Sequence, residues 1–97
     1  MSTELDIDTK VRLKEPRLYK VLLLNDDFTP QDFVVEILMG IFNKTLEQAY
    51  SLMIDVHEKG QGLAGVYTKE VADQKVMDVS KIATQYKHPL QVKSEPV

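Results

Sequence analysis

The sequence predicts an α+β fold, a two-layer α/β sandwich of three helices on a three-stranded antiparallel sheet, in the order β-α-α-β-α-β. Three observations lead there. The apolar run Tyr19-Lys20-Val21-Leu22-Leu23-Leu24 stops abruptly at Asn25-Asp26-Asp27. Two stretches between Thr29 and Lys59 then repeat apolar residues at helical period, separated only by Asn43-Lys44. A glycine-punctuated stretch, Gln61 to Thr68, precedes a further helical period that Pro89 closes. The 97 residues suit one domain, and six elements in so short a chain fit two layers around one core.

Residues 1–17 are polar, mixed in charge, and end in Lys14-Glu15-Pro16-Arg17. Leu5, Ile7, Val11 and Leu13 alternate with polar neighbours, but a terminal segment is loose unless docked, so 1–17 is expected to be a flexible arm and 18–97 the folded domain. The first strand, 18–24, is too apolar to have one wet face and is expected to be covered on both. Thr29 is placed as the cap of the next helix, with Pro30 at its first position, where no amide donor is needed, and Asp32 in the first turn. Phe33, Val34, Ile37, Leu38, Ile41 and Phe42 form its apolar stripe, and Gly40 weakens its end.

Thr45-Leu46-Glu47-Gln48 reads as a capping box, with Ala49, Leu52, Met53 and Val56 on the inner face and Lys59-Gly60 as the stop. The short break predicts that the first two helices lie antiparallel and side by side. Gly62 and Gly65 in the second strand point to a close backbone approach or a bulge. The third helix begins at Thr68 or Lys69. It carries Ala72, Val76, Val79, Ala83 and Tyr86 on one face, with Lys87 and His88 near its end. Leu90-Gln91-Val92-Lys93 is a short third strand and Ser94–Val97 a tail.

Composition narrows function. Hydrophobic residues make up 43% of the chain, enough for a core without external staples. The net charge of −3 gives no broad electrostatic footprint for nucleic acid. The absence of cysteine removes disulfides, thiolate catalysis and Cys-based zinc sites. The opening residues carry neither a basic start nor an apolar run, and no stretch approaches a membrane span, so a cytoplasmic domain with no membrane partner is expected. Ser2, Ser51, Ser80 and Ser94 lack a glycine-framed nucleophile setting, and there is no Gly-rich phosphate loop. Neither an enzyme nor a cofactor is expected.

The turn after the first strand has two readings. Asn25, Asp26, Asp27 and Thr29 are residues that bond local amides in turns and at helix starts. They also offer several oxygen acceptors to a cation. An ammonium group has three donors. The Asn25 carbonyl and one aspartate can supply two acceptors, and a neutral His57 imidazole, at the edge of the second helix's inner face, can supply a third. A histidine near a helix end also simply complements the dipole. A metal site from Asp26, Asp27 and His57 is conceivable, although no HxxxH or HxH pair accompanies it.

The run from Tyr19 to Pro30 closely resembles the ClpS family. So do Asp32-Phe33-Val34, then Met53 with Val56-His57, then Gly65-Val66-Tyr67-Thr68-Lys69-Glu70-Val71-Ala72, then Lys75, then His88-Pro89-Leu90. The resemblance spans about residues 18 to 93. It implies an adaptor of the AAA+ protease ClpAP. Such an adaptor binds N-degrons, substrates whose first residue is Leu, Phe, Tyr or Trp, and hands them to the unfoldase. The family's α-amino-group ligands fall on Asn25, Asp27 and His57, with Asp26 adding negative charge. Its side-chain pocket falls on Leu23, Leu24, Thr29, Val34, Met53, Val56 and Leu90. Its docking surface for the N-terminal domain of a ClpA-type unfoldase includes Glu70 and Lys75, and its extension, used in substrate hand-over, matches the arm. A monomer is implied. One departure is Gln31, where many members carry a Met that rims the pocket and helps to exclude β-branched side chains. A rival module, resembling the C-terminal domain of the ribosomal stalk protein, shares the element order but lacks the Asn-Asp-Asp turn paired with a helix-borne histidine.

Overall fold

The structure, a computed structural model, describes residues 17–97. The expected arm, 1–17, therefore lies almost wholly outside the described residues. Three strands, β1 (Leu18–Leu24), β2 (Gln61–Thr68) and β3 (Gln91–Pro96), form an antiparallel sheet in the order β2-β1-β3. Three helices, α1 (Gln31–Gly40), α2 (Leu46–Lys59) and α3 (Lys69–Gln85), complete the order β-α-α-β-α-β. α3 packs on all three strands, α2 packs on β2, and α1 packs on α2.

β1 is the most apolar strand because it is central. Val21 and Leu23 enter the core, and Leu22, facing the other way, is still only 5% exposed. It sits opposite Leu63 of β2 and Lys93 of β3. The β1–β2 register shifts between Val21 and Leu22, which pair with Gly65 and Leu63 and leave Ala64 as an extra residue. Gly62 meets the other need of that strand. A Cβ there would lie 2.6 Å from Cγ2 of Val56, so a side chain would push α2 off the sheet.

The helix boundaries follow local chemistry, with some departures from the sequence reading. The capping box forms: the Gln48 amide donates to the Thr45 hydroxyl at 3.2 Å, and the Thr45 amide donates to the Gln48 side chain at 3.0 Å. Gly60 takes the left-handed conformation (φ 88°) that ends α2. α1 starts one residue later than expected. Pro30 is its cap and Thr29 makes no cap hydrogen bond, because the Thr29 hydroxyl is engaged elsewhere. α1 also stops at Gly40, so Ile41 and Phe42 extend the apolar stripe from a turn.

α3 ends at Gln85, before Lys87 and His88. Their amides bond back to the carbonyls of Thr84 and Ala83, and Lys87 has φ 61°. β3 runs to Pro96 instead of stopping at Lys93, because its full length finds partners on β1, from Leu24 opposite Gln91 to Tyr19 opposite Pro96. Proline is tolerated there at the end of an edge strand.

Candidate functional site

The polar turn is built around Asp26. One carboxylate oxygen accepts from the amides of Phe28 (2.8 Å) and Thr29 (2.7 Å), and the other accepts from the Thr29 hydroxyl (2.8 Å). Partial burial by itself would raise the pKa of Asp26. The Thr29 hydroxyl, the Thr29 and Phe28 amides and the charge of His88 outweigh it and hold the pKa below its ordinary value of 3.8. Because the folded pKa is the lower one, the stabilisation is complete above the ordinary carboxylate range and is lost as pH falls through the folded value. Asp26→Asn should therefore flatten the acid limb of the stability curve below about pH 4, read from urea midpoints. An acid limb identical to that of the parent chain would mean that the charge does not hold the turn.

The turn is tied to the far end of α2. The Asn25 amide donates to the Gly60 carbonyl at 2.9 Å, and the Gly60 amide donates to Val56 at 3.0 Å. His57, one residue past Val56, lines the same pocket as Asn25 and Asp27. Among the described residues, no hydrogen bond engages the side chains of Asn25, Asp27 or His57, and all three are exposed. Together with Asp26 they border a pocket of about 360 Å³. Leu24, Thr29, Val34, Met53, Val56 and Leu90 also line it, and Gln31 lies exposed at its rim. Val34, Met53, Val56 and Leu90 are buried core residues that present one side to the void.

The structure thus brings together, around one pocket, every sequence-selected residue of the turn and apolar set except Leu23. Leu23 is fully buried in the core and does not line the pocket. Phe28 and Pro30, which the sequence reading passed over, also line it. Phe28 is 81% exposed, and the signal available in the sequence was a large aromatic set inside a polar turn.

Glu70 is exposed at the start of α3. Lys75 is half-buried: its ammonium donates to the Ile41 carbonyl at 2.6 Å and lies 6.0 and 5.7 Å from the ring centroids of Phe42 and Tyr67. It therefore satisfies the C-terminal end of α1. Among the described residues, no group of three or more His, Cys, Asp or Glu is placed to hold a metal ion, and no helix is long and apolar enough to cross a membrane.

Comparison with known proteins decides the family. The model of the ATP-dependent Clp protease adaptor protein ClpS matches residues 14–93. This chain belongs to the ClpS family. The ClpS adapter of Hyphomonas neptunium is 53% identical over 88 residues, covering 91% of this chain and 75% of that protein. The ClpS adapter of Deinococcus radiodurans is 52% identical over 87 residues, covering 90% and 77%. A solved structure of Agrobacterium tumefaciens ClpS2 bound to L-phenylalaninamide superposes with a TM-score of 0.83 at 31% identity, covering 86% of this chain and 100% of that one. The ClpS relatives share the adaptor role for Clp protease, and the three helices on a three-stranded antiparallel sheet are the ClpS fold.

Proposed function

We propose that this chain binds the free α-amino group and the large hydrophobic first residue (Leu, Phe, Tyr or Trp) of N-degron substrates, and delivers them to a ClpA-type unfoldase of ClpAP. One observation carries the reading. Acceptors on Asn25, Asp27 and His57, free of internal hydrogen bonds among the described residues, ring the mouth of a pocket whose wall is apolar. That arrangement matches the two ends of an N-terminal residue. L-phenylalaninamide, the ligand of the Agrobacterium relative, has the same two parts, a free amine and a benzyl group.

The roles divide by chemistry. Burying one large apolar side chain against Val34, Met53, Val56 and Leu90 contributes roughly 1.5–3 kcal/mol. The ammonium donates to Asn25, Asp27 and His57 in charge-assisted hydrogen bonds, each about twice as strong as a neutral one. Asp26 holds the turn and adds charge beside them. Gln31 at the rim keeps its amide in water, which avoids the cost of burying it unpaired. The exposed Glu70, with Lys75 behind it on α3, belongs to the surface proposed to dock the unfoldase's N-terminal domain. The protein acts in this scheme as a cytoplasmic monomer, without cofactor or catalysis.

Calorimetric titration with L-phenylalaninamide tests the reading. Binding is expected, and His57→Ala should weaken it about tenfold, the scale of one charge-assisted hydrogen bond, with the melting temperature unchanged. An unchanged affinity accompanied by a drop in melting temperature would return His57 to a helix-end role.

A further inference from the structure

A second concavity lies on the other side of the α1 N-terminus, between α1 and α3. Its volume is about 640 Å³, larger than the first pocket, and Pro30 lines both. Its floor is apolar: Phe33, Ile37 and Ile41 come from α1, and Ile82 from α3. Tyr86 closes one end, its ring edge-on to Phe33 at 5.8 Å between centroids. His88 packs on the same Phe33 ring at 4.5 Å. The α1 rim carries Asp32 and Glu36, one turn apart and both exposed, and no lysine or arginine lines the groove. An apolar trough with one acidic edge and no lysine or arginine in its lining fits a segment that carries an apolar side chain beside a basic one.

We infer that this groove takes the stretch of the same substrate that follows its first residue, and that it favours an apolar residue next to Lys or Arg. The inference rests on the proposed pocket for the first residue. Two observations select this occupant: the exposed acidic edge of Asp32 and Glu36, which no lysine or arginine of the groove faces, and the continuity of the two concavities across Pro30. The distance fits as well. An extended chain advances about 3.3 Å per residue and a helix is about 10 Å across, so a peptide leaving the first pocket reaches the groove about three to five residues on. The first pocket reads residue one, and the groove adds a second, charge-dependent reading downstream.

The test uses the full chain and three ligands: L-phenylalaninamide, a peptide beginning Phe-Ala-Ala-Lys-Leu, and its twin with Glu-Ser in place of Lys-Leu. The Lys-Leu peptide should bind about fivefold tighter than the Glu-Ser peptide at low salt, the scale of an exposed ion pair. The preference should shrink with added salt. Asp32→Asn and Glu36→Gln, made singly so that each keeps its shape, should reduce the preference while leaving affinity for L-phenylalaninamide unchanged. If L-phenylalaninamide binds but the two peptides bind equally, the groove inference fails and the pocket reading stands. If the preference survives both substitutions, the groove has another occupant and the inference is overturned. If L-phenylalaninamide itself does not bind, the pocket reading fails and this one falls with it.

Discussion

A peptide beginning with phenylalanine is expected to bind at least about a hundredfold more tightly than its N-acetylated twin. Both peptides offer the same ring to Val34, Met53, Val56 and Leu90, so the apolar contribution cancels. The difference lies at the mouth. The ammonium presents three donors and a positive charge to acceptors on Asn25, Asp27 and His57. The acetylated nitrogen presents one donor and no charge, and its new carbonyl adds an acceptor facing a carboxylate. Two charge-assisted bonds lost at roughly 1.5–3 kcal/mol each exceed the roughly 2.7 kcal/mol that corresponds to a hundredfold. Fluorescence anisotropy with labelled twins reads the ratio directly. Equal binding would leave an apolar pocket without a role for the acidic turn, and the proposed N-terminal specificity would go with it.

Leu23→Ala is expected to cost about 2–5 kcal/mol of stability, the range for truncating a buried leucine. Leu23 has no exposed surface, belongs to the central strand and stays clear of the pocket. The cavity it leaves is enclosed by the sheet and the helices packed on it, where collapse is limited. Domains of this kind have about 5–15 kcal/mol in total, so the variant should unfold at a markedly lower urea midpoint. Its remaining folded molecules should keep their affinity for L-phenylalaninamide. A variant of parental stability with lost affinity would place Leu23 in the pocket after all.

That pair of outcomes marks where sequence reading works on this chain. The order of elements was legible because each signal is local. The Thr45–Gln48 box, the Gly60 stop and the helical stripes depend on neighbours a few residues away, and they appear, except that Tyr86, expected on the inner face of α3, lies exposed just past its end. Leu23 enters the pocket set only through the family resemblance; in the structure it is fully buried in the core, and a run apolar at every position carries no signal that separates a core residue from one lining a void. Thr29 has the chemistry of a helix cap, but the Asp26 carboxylate holds its hydroxyl three residues away, and Pro30 takes the cap position. The extension of β3 to Pro96 is a tertiary effect, since only pairing with β1 makes Ser94 and Glu95 part of a strand. The half-burial of Lys75 has no local signal, because its partner, the Ile41 carbonyl, lies 34 positions away. The candidate site itself joins residues more than a full helix apart in sequence. Periodicity could put His57 on the edge of α2 but not beside Asn25, and the family resemblance supplied that step.

The bond from the Asn25 amide to the Gly60 carbonyl has a consequence for how occupancy is felt by the whole molecule. It fastens the exit of the central strand to the end of α2, so the acceptors on either side exist as a set only in the folded chain. A guest that spans them has no comparable partner in the unfolded ensemble, and its binding free energy is added to that of folding. A guest present at a hundred times its dissociation constant raises the unfolding free energy by about 2.7 kcal/mol. Under the proposed function, a loaded chain would be harder to open than an empty one, and release of the guest would return it to its softer state.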